Sequence, residues 1–314
     1  MKKKTKILII AAILLLSTGC TKTLKDGKNA VTYEETGQTL TANILCKPSD
    51  ENLLNKYEEY DDKLTVNLED LPSCKSFTPN KIEYKSLWES LFVKPLAWII
   101  LKLGYLIKDM GISVMLVGLL MRLIMLPIQI KNVNQTENMK KVQPELEKIE
   151  KKYANKTDNE SLMAKSQETM LLYKKYQINP ISGCIMAFIQ LPLFFAFLEA
   201  INRVPAIFEG KFLNTSMYLG MTPATGIAQG HYIYIILIIL IILTTFLSFR
   251  NSMSGQSQNS EMAQQMKMMS IFMILMVSFA SLSLPTAIAL YWIVTNGFAV
   301  IQNAIIKKIN EKRI

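Results

Sequence analysis

The chain has 314 residues, of which 50% are hydrophobic, and a formal net charge of +10. Several stretches of the sequence approach 20 apolar residues, which excludes an ordinary soluble domain and predicts a membrane protein. A basic chain can bind nucleic acid, but no recognition motif accompanies the charge here, so direct nucleic-acid binding is not expected.

Residues 1–20 have the three-part layout of a secretory signal. Four lysines precede an apolar run, and a short stretch of small residues ends at Cys20. The segment resembles a bacterial lipoprotein signal peptide, in which Cys20 would receive lipid and become the first residue of the mature chain outside the cell. An uncleaved signal anchor is the alternative.

Residues 21–84 are predicted to form a small extracytoplasmic segment, because they lack long apolar runs and contain turn-prone pieces. Cys46 and Cys74 lie within it and would form a disulfide in an oxidising exterior, although two free thiols fit the sequence equally. Their spacing is not typical of a metal site, and the single histidine, His231, supplies no ligand cluster. No metal is therefore expected.

Residues 85–110 are predicted to form an amphipathic helix that lies in the plane of the membrane interface. The helix has an apolar body with two tryptophans, as interfacial helices often do. At 100° per residue, four of its charged side chains fall on one side: Lys94, Lys102, Lys108 and Asp109. A membrane-crossing helix is the alternative, but it would place the next lysine-rich segment outside the cell, against the positive-inside tendency.

Five membrane spans are predicted from the remaining apolar runs: 111–130, 181–200, 232–249, 270–284 and 285–306. An odd number of spans places the two ends of the chain on opposite sides of the membrane. With the lipid-anchored amino end outside, the loop 201–231 is extracytoplasmic and the loop 250–269 is cytoplasmic. The tail 307–314, which carries four basic residues, is then also cytoplasmic, as the positive-inside tendency predicts.

Residues 131–179 contain ten lysines and are predicted to form a cytoplasmic helical hairpin. A narrow apolar seam in the first arm has helical spacing: Val142, Leu146, Ile149 and Tyr153. A weaker seam in the second arm consists of Leu162, Thr169, Tyr173 and Tyr176. The alternative is a solvent-exposed loop that has no specific function.

Arg122 is the strongest candidate for a functional residue. It lies near the middle of the first predicted span, where an arginine costs ~2.5 to 3.5 kcal/mol on insertion scales. Charged residues at such depth usually face the interior of a helix bundle or a water-filled cavity. We therefore expect Arg122 to line a water-filled cavity in the membrane.

Four short motifs in and beside the spans resemble those of the YidC/Oxa/Alb family of membrane protein insertases. They are MRLIMLP at 121–127, NPISGC at 179–184, IQLP at 189–192 and LYWIVTN at 290–296. Each motif is loose alone, but their order and spacing together are specific. The resemblance covers about residues 85–308.

The resemblance implies an all-α membrane protein, a five-span helical bundle with an interfacial helix and a cytoplasmic helical hairpin. It implies a membrane protein insertase and chaperone in the bacterial plasma membrane, with a hydrophilic groove that contains Arg122. Nascent membrane proteins and membrane lipids would be its partners. Association with the Sec translocon and with the ribosome stays open.

The predicted groove residues besides Arg122 lie in the second and fifth spans. Gln190 is a polar side chain deep in the second span, and Trp292 and Asn296 share one face of the fifth, with Thr295 beside them. Hydrogen bonds that hold neighbouring helices together are the alternative role for Gln190, Thr295 and Asn296.

No catalytic residue, cofactor or enzyme activity is predicted. One histidine cannot supply the known hydrolase arrangements, and the sequence contains no phosphate-binding loop. Two other function classes remain alternatives to an insertase: a small-solute transporter, and a scaffold for assembling membrane complexes that has no insertion activity. Transporters usually have repeated halves, which this sequence lacks.

Overall fold

The computed structural model describes residues 21–179, 182–253 and 261–311, so the predicted signal peptide and Cys20 lie outside the described residues. The helices are α1 (Glu51–Glu59), α2 (Lys94–Ile107), α3 (Met110–Ile124), α4 (Leu126–Tyr153), α5 (Asn159–Lys175), α6 (Ser182–Arg203), α7 (Pro205–Phe208), α8 (Pro223–Ala228), α9 (Ile233–Met253), α10 (Glu261–Ser283) and α11 (Thr286–Glu311). Two small hairpins pair β1 (Lys25–Asp26) with β2 (Asn29–Ala30) and β3 (Thr32–Tyr33) with β4 (Gln38–Thr39). The predicted all-α membrane fold is confirmed.

The chain divides into two compact units. Unit 1 consists of Met1–Leu120, Gln190–Ile241 and Phe279–Val294, and unit 2 consists of Met121–Ile189, Ile242–Ser278 and Thr295–Ile314. Unit 1 therefore contains the segment 21–84 and the loop 201–231, whereas unit 2 contains Arg122 and the predicted hairpin.

In unit 1, residues 21–84 form a small domain around an apolar core that includes Leu24, Leu40 and Leu53. Helix α1 begins at Asp50, whose side chain accepts a hydrogen bond from the Leu53 backbone N–H at 2.8 Å. Phe208 from the loop 201–231 belongs to the same core. The small domain is therefore packed onto this loop. Cys46 and Cys74 within the domain are joined by a disulfide.

The carboxyl end of α6 is capped by the small domain. Helix termini leave backbone carbonyls without intrahelical partners. The Thr41 hydroxyl donates to the Asn202 carbonyl at 3.0 Å, and the Leu45 N–H donates to the Arg203 carbonyl at 2.7 Å. The small domain thus supplies donors that the end of α6 needs.

The start of α11 is held in unit 1 by the loop 201–231. The Thr286 N–H donates to the Met221 carbonyl at 3.0 Å, and the Ala287 N–H donates to the Leu219 carbonyl at 2.8 Å. These bonds satisfy two of the N–H groups that a helix start exposes. The turn between α10 and α11 falls next to Pro285, which cannot donate a backbone hydrogen bond but suits the start of a helix.

The predicted first span, 111–130, is not one straight helix. Helix α3 ends at Ile124, α4 begins at Leu126, and the pair is bent by 63°. Pro127 explains the break, because a proline lacks the N–H that would bond to the carbonyl four residues earlier, and its ring collides with that carbonyl. Arg122 therefore lies in the last turn of α3, just before the bend.

In unit 2, α4 and α5 form a helical hairpin with a thin apolar core. Val142 and Leu146 of α4 pack with Leu172 and Tyr173 of α5. Asp158 caps the start of α5 by accepting the Ser161 N–H at 2.8 Å. Leu162, expected in the seam of the second arm, is exposed instead, because α5 turns its Leu172 face toward α4.

By length and composition, three helices of the described residues could cross a membrane: Glu89–Ile107, Ile233–Arg250 and Thr286–Ile309. The number rises to four if the bent pair α3–α4 counts as one span, and Lys267–Ser283 is a shorter apolar helix. The predicted interfacial helix is among the three.

Glu209 lies in the loop 201–231, just after α7. Burial raises the pKa of its carboxyl group to about 7, and the negative charge of Asp50 adds to the rise. Its Oε2 atom is buried without a hydrogen-bond partner. The carboxyl group is therefore more easily protonated in the folded protein than in the unfolded chain.

We expect the free energy of unfolding of the small domain to fall by up to about 3 kcal/mol as the pH rises from about 4.5 to about 7. The stabilisation from the protonated Glu209 carboxyl group should remain absent above pH 7. The folded state binds the proton more tightly, so it loses its advantage as the proton is removed. Hydrogen exchange of the α1 amides, corrected for intrinsic rates, measures this.

Glu209→Gln should remove the pH dependence, whereas Glu58→Gln, which changes an exposed glutamate of the same domain, should retain it. An unchanged pH profile in Glu209→Gln would contradict the assignment.

Replacing both Cys46 and Cys74 by serine should destabilise the small domain by about 3 to 4 kcal/mol, since the disulfide closes a loop with a sequence separation of 28. Limited proteolysis of residues 21–84 in detergent-solubilised protein measures the change. Wild-type protein treated with a reductant should become as protease-sensitive as the double variant. Equal resistance of the oxidised and reduced proteins would show that the bond contributes little.

Candidate functional site

Arg122 lines a cavity of about 410 Å³ that lies within unit 2. Three helices build most of its wall. The main lining side chains are Gln129, Asn132, Thr136, Glu137 and Lys140 from α4, Ser248 and Phe249 from α9, and Ala299, Gln302, Asn303 and Lys307 from α11.

The cavity follows from helical spacing. On α4 the lining positions recur every three or four residues from Gln129 to Lys140, which places them on one face of the helix. On α11 the same spacing joins Ala299 to Lys307. Small side chains such as Ala299 and Ser248 leave the space open.

The cavity wall carries more positive than negative charge. Arg122, Lys140 and Lys307 contribute three cations, against the single carboxylate of Glu137. Lys140 and Glu137 form an ion pair at 2.8 Å one turn apart on α4. The wall is therefore suited to an anionic guest.

Uncharged polar groups complete the wall. Gln129 and Gln302 are only 5% and 6% exposed. Gln129 Nε2, Asn132 Oδ1 and Gln302 Oε1 are buried and have no hydrogen-bond partner. Each such group costs about 1 to 3 kcal/mol, so water or a polar ligand inside the cavity would stabilise the protein.

Two predicted groove residues, Gln190 and Trp292, lie in unit 1. Gln190 Nε2 donates a hydrogen bond to the Tyr291 hydroxyl at 2.8 Å, which joins α6 to α11. The Trp292 ring stacks on Phe194, with the ring centroids 5.8 Å apart. Both contacts connect neighbouring helices.

The other two predicted residues, Thr295 and Asn296, lie in unit 2. Asn296 Nδ2 donates to the Thr245 hydroxyl at 2.9 Å, which joins α11 to α9, and Thr295 is buried. Neither of these two residues lines the Arg122 cavity. The Asn296 hydrogen bond joins two helices, which is the role that the sequence analysis gave as the alternative to lining the groove.

Sequence reasoning missed Gln129, Asn132 and Gln302. On α4, Gln129, Asn132 and Thr136 recur at helical spacing, which the sequence shows. The sequence does not show that α4 turns this face toward Arg122, because α3 and α4 are bent by 63° at the break between them. Within the described ranges, no group of three or more histidine, cysteine, aspartate or glutamate side chains could hold a metal ion.

The fold and the site define a class, the multi-pass α-helical membrane proteins with a basic polar cavity. Residues 102–313 match the family described as the 60Kd inner membrane protein, and the chain belongs to this family, the YidC/Oxa1 family.

Three bacterial relatives illustrate the similarity. The chain is 34% identical to the membrane protein insertase YidC of Oceanobacillus iheyensis, over 74% of this chain and 86% of the relative. It is 34% identical to the membrane protein insertase MisCA of Bacillus subtilis, over 76% and 86%. It is 36% identical to the membrane protein insertase YidC 2 of Listeria innocua, over 70% and 71%.

A cysteine placed at Gln302 should react rapidly with a water-soluble thiol reagent, because the cavity is polar and can hold water. A cysteine at the adjacent Ile301, a 60% exposed apolar position on α11, should react slowly, because an exposed apolar side chain on a membrane helix is covered by lipid. The measurement is the labelling rate in membranes, in a Cys184→Ser background. Equal rates at the two positions would contradict a water-filled cavity.

Proposed function

We propose that this protein is a membrane protein insertase and chaperone that receives polar parts of nascent membrane proteins in the Arg122 cavity. The observation that carries the proposal is a basic, polar cavity in a membrane protein whose relatives are named insertases. No covalent chemistry is required, because insertion changes the environment of the substrate and breaks no bond.

The proposed orientation has the amino end outside, the hairpin and carboxyl end in the cytoplasm, and α2 in the plane of the outer interface. The Cys46–Cys74 disulfide supports an oxidising exterior for the small domain. Lysine and arginine are concentrated in the segment 131–179 and in the tail, as expected for the cytoplasmic side.

The contacts at both ends of α2 support its in-plane position. Before α2, Glu89 forms an ion pair with Arg203 at 2.7 Å. After α2, the Asp109 carboxylate accepts the Leu213 N–H at 2.6 Å. Arg203 is the last residue of α6 and Leu213 lies in the loop that follows it, which supports placing both ends of α2 on the same side.

Capture of the substrate depends on the cavity charge. A nascent membrane protein must move a polar, often acidic, segment across an apolar layer, where a carboxylate without a partner is very unfavourable. A water-filled cavity shortens the apolar distance that the polar segment must cross. Arg122 supplies a charge partner whose attraction for a carboxylate at about 4 Å is ~1 to 4 kcal/mol, from bulk water to a partly shielded site.

Release depends on the substrate's own apolar span. Each leucine or isoleucine at its centre contributes about −0.3 to −0.6 kcal/mol on entering the bilayer. A run of such residues outweighs the modest attraction in the cavity, so the substrate leaves toward lipid without nucleotide hydrolysis. In this proposal the protein acts either alone or together with the Sec translocon, and ribosomes deliver the nascent chain.

Arg122→Ala should reduce insertion of a single-span substrate with an acidic amino-terminal segment about tenfold, which corresponds to ~1.4 kcal/mol. Arg122→Glu should reduce it further, because the cavity would then repel carboxylates, and Arg122→Lys should retain most activity. The measurement is protease protection of the substrate after insertion into liposomes that contain the purified protein and no Sec components.

Arg250→Ala is the matched control, because it removes an exposed arginine near the end of α9 that is not among the residues lining the Arg122 cavity. Wild-type activity of Arg122→Glu on the acidic substrate would refute the charge mechanism. Substrate binding without protease protection would favour the scaffold, and solute flux through the same liposomes would favour the transporter.

A further inference from the structure

Three carboxamide side chains in the Arg122 cavity have polar atoms for which the protein provides no hydrogen-bond partner: Gln129 Nε2, Asn132 Oδ1 and Gln302 Oε1. Gln129 and Gln302 are more than nine-tenths buried. Buried polar groups in folded proteins nearly always have a partner. Three such atoms in one cavity wall therefore indicate a site for water or a polar ligand.

The chemistry of these groups differs from that of the cations beside them. Arg122, Lys140 and Lys307 can only donate hydrogen bonds, whereas a carboxamide both donates and accepts. The one carboxylate of the wall, Glu137, already pairs with Lys140. The cations thus suit carboxylates, and the carboxamides add acceptors as well as donors.

A peptide group offers the same kinds of hydrogen-bonding atoms as a carboxamide: one carbonyl acceptor and one N–H donor, where the carboxamide has two N–H donors. Every residue of an entering segment except proline brings both groups, whatever its side chain. Peptide groups that leave water without new partners are strongly disfavoured. The commonest polar groups of any translocating segment are therefore those that the carboxamides can bind.

We propose that Gln129, Asn132 and Gln302 form a binding site for the main chain of an extended polypeptide segment, independent of its side-chain charge. This inference rests on the proposed function and assigns different roles to the charged and the carboxamide residues of the cavity. Arg122 favours substrates with acidic segments, and the carboxamides hold the backbone of acidic and uncharged segments alike.

The space around the three residues is compatible with this role. Gln129 and Asn132 lie one turn apart on α4, and Gln302 lies on α11. Ala299, Ala304 and Ser248 also line the cavity and leave room for a main chain to approach. The volume of about 410 Å³ falls in the range of ~300 to 1,000 Å³ typical of ligand pockets.

The test compares two single-span substrates in liposomes that contain the full-length protein. One substrate has an acidic amino-terminal segment, and the other has the same segment with every Asp and Glu changed to Asn and Gln. The double variant Gln129→Ser/Gln302→Ser keeps the cavity polar but shortens both side chains. We expect it to lose about tenfold in insertion of both substrates, with several hydrogen bonds lost or weakened.

Arg122→Gln should impair only the acidic substrate, and this contrast separates the two roles. Gln135→Ser is the matched control, because it removes a carboxamide on the same helix that is bonded to the Asn179 N–H and is not among the cavity-lining residues. Its insertion of both substrates should remain near wild type. Gln302→Asn keeps the amide group on a shorter stem and should give an intermediate loss, and it replaces the double variant if that protein fails to fold.

Normal insertion of both substrates by the serine variant would overturn the inference, because the carboxamides would then hold only water. A loss confined to the acidic substrate would also overturn it, because the site would then be an extension of the charge site. If wild-type protein inserts neither substrate, the proposed function fails, and the inference fails with it.

Discussion

Arg122 can lie inside an apolar helical bundle only because the helices around it present polar and small side chains instead of close packing. A charge at that depth needs water or polar partners. Gln129 and Gln302 extend the polar wall on α4 and α11, and Ser248 and Ala299 leave its interior open. The cavity therefore accommodates the guanidinium group of Arg122, and its polar volume is what makes a role in insertion physically reasonable.

The bend at Pro127 determines how the polar wall is shared between helices. Helix α3 carries Arg122 in its last turn, and α4 starts in a new direction with Gln129 in its first turns. Because α4 continues through the hairpin, one long helix contributes both cavity residues and the thin core around Val142.

The small domain has a different physical role from the cavity. Its donors satisfy carbonyls at the carboxyl end of α6, and its Asn43 carbonyl accepts a hydrogen bond from the buried Arg203 guanidinium at 2.7 Å. Arg203 also pairs with Glu89 and Glu199, and Glu89 pairs with the buried Lys94, so two carboxylates balance two buried cations. Such a network is costly to break, so it holds the end of α6 against the small domain.

The sequence by itself determined the helical membrane class, the apolar helices and the hairpin, and it singled out Arg122 as a candidate, because apolar content, helical period and a charge within a span are local properties. It did not determine which polar side chains share a cavity. Gln190 bonds to Tyr291 and Asn296 bonds to Thr245, whereas Gln129 and Gln302 line the cavity with Arg122. Only the tertiary structure decided this, because the surroundings of a polar side chain depend on how each helix is bent and rotated against its neighbours, and the hydropathy of a segment contains no such information.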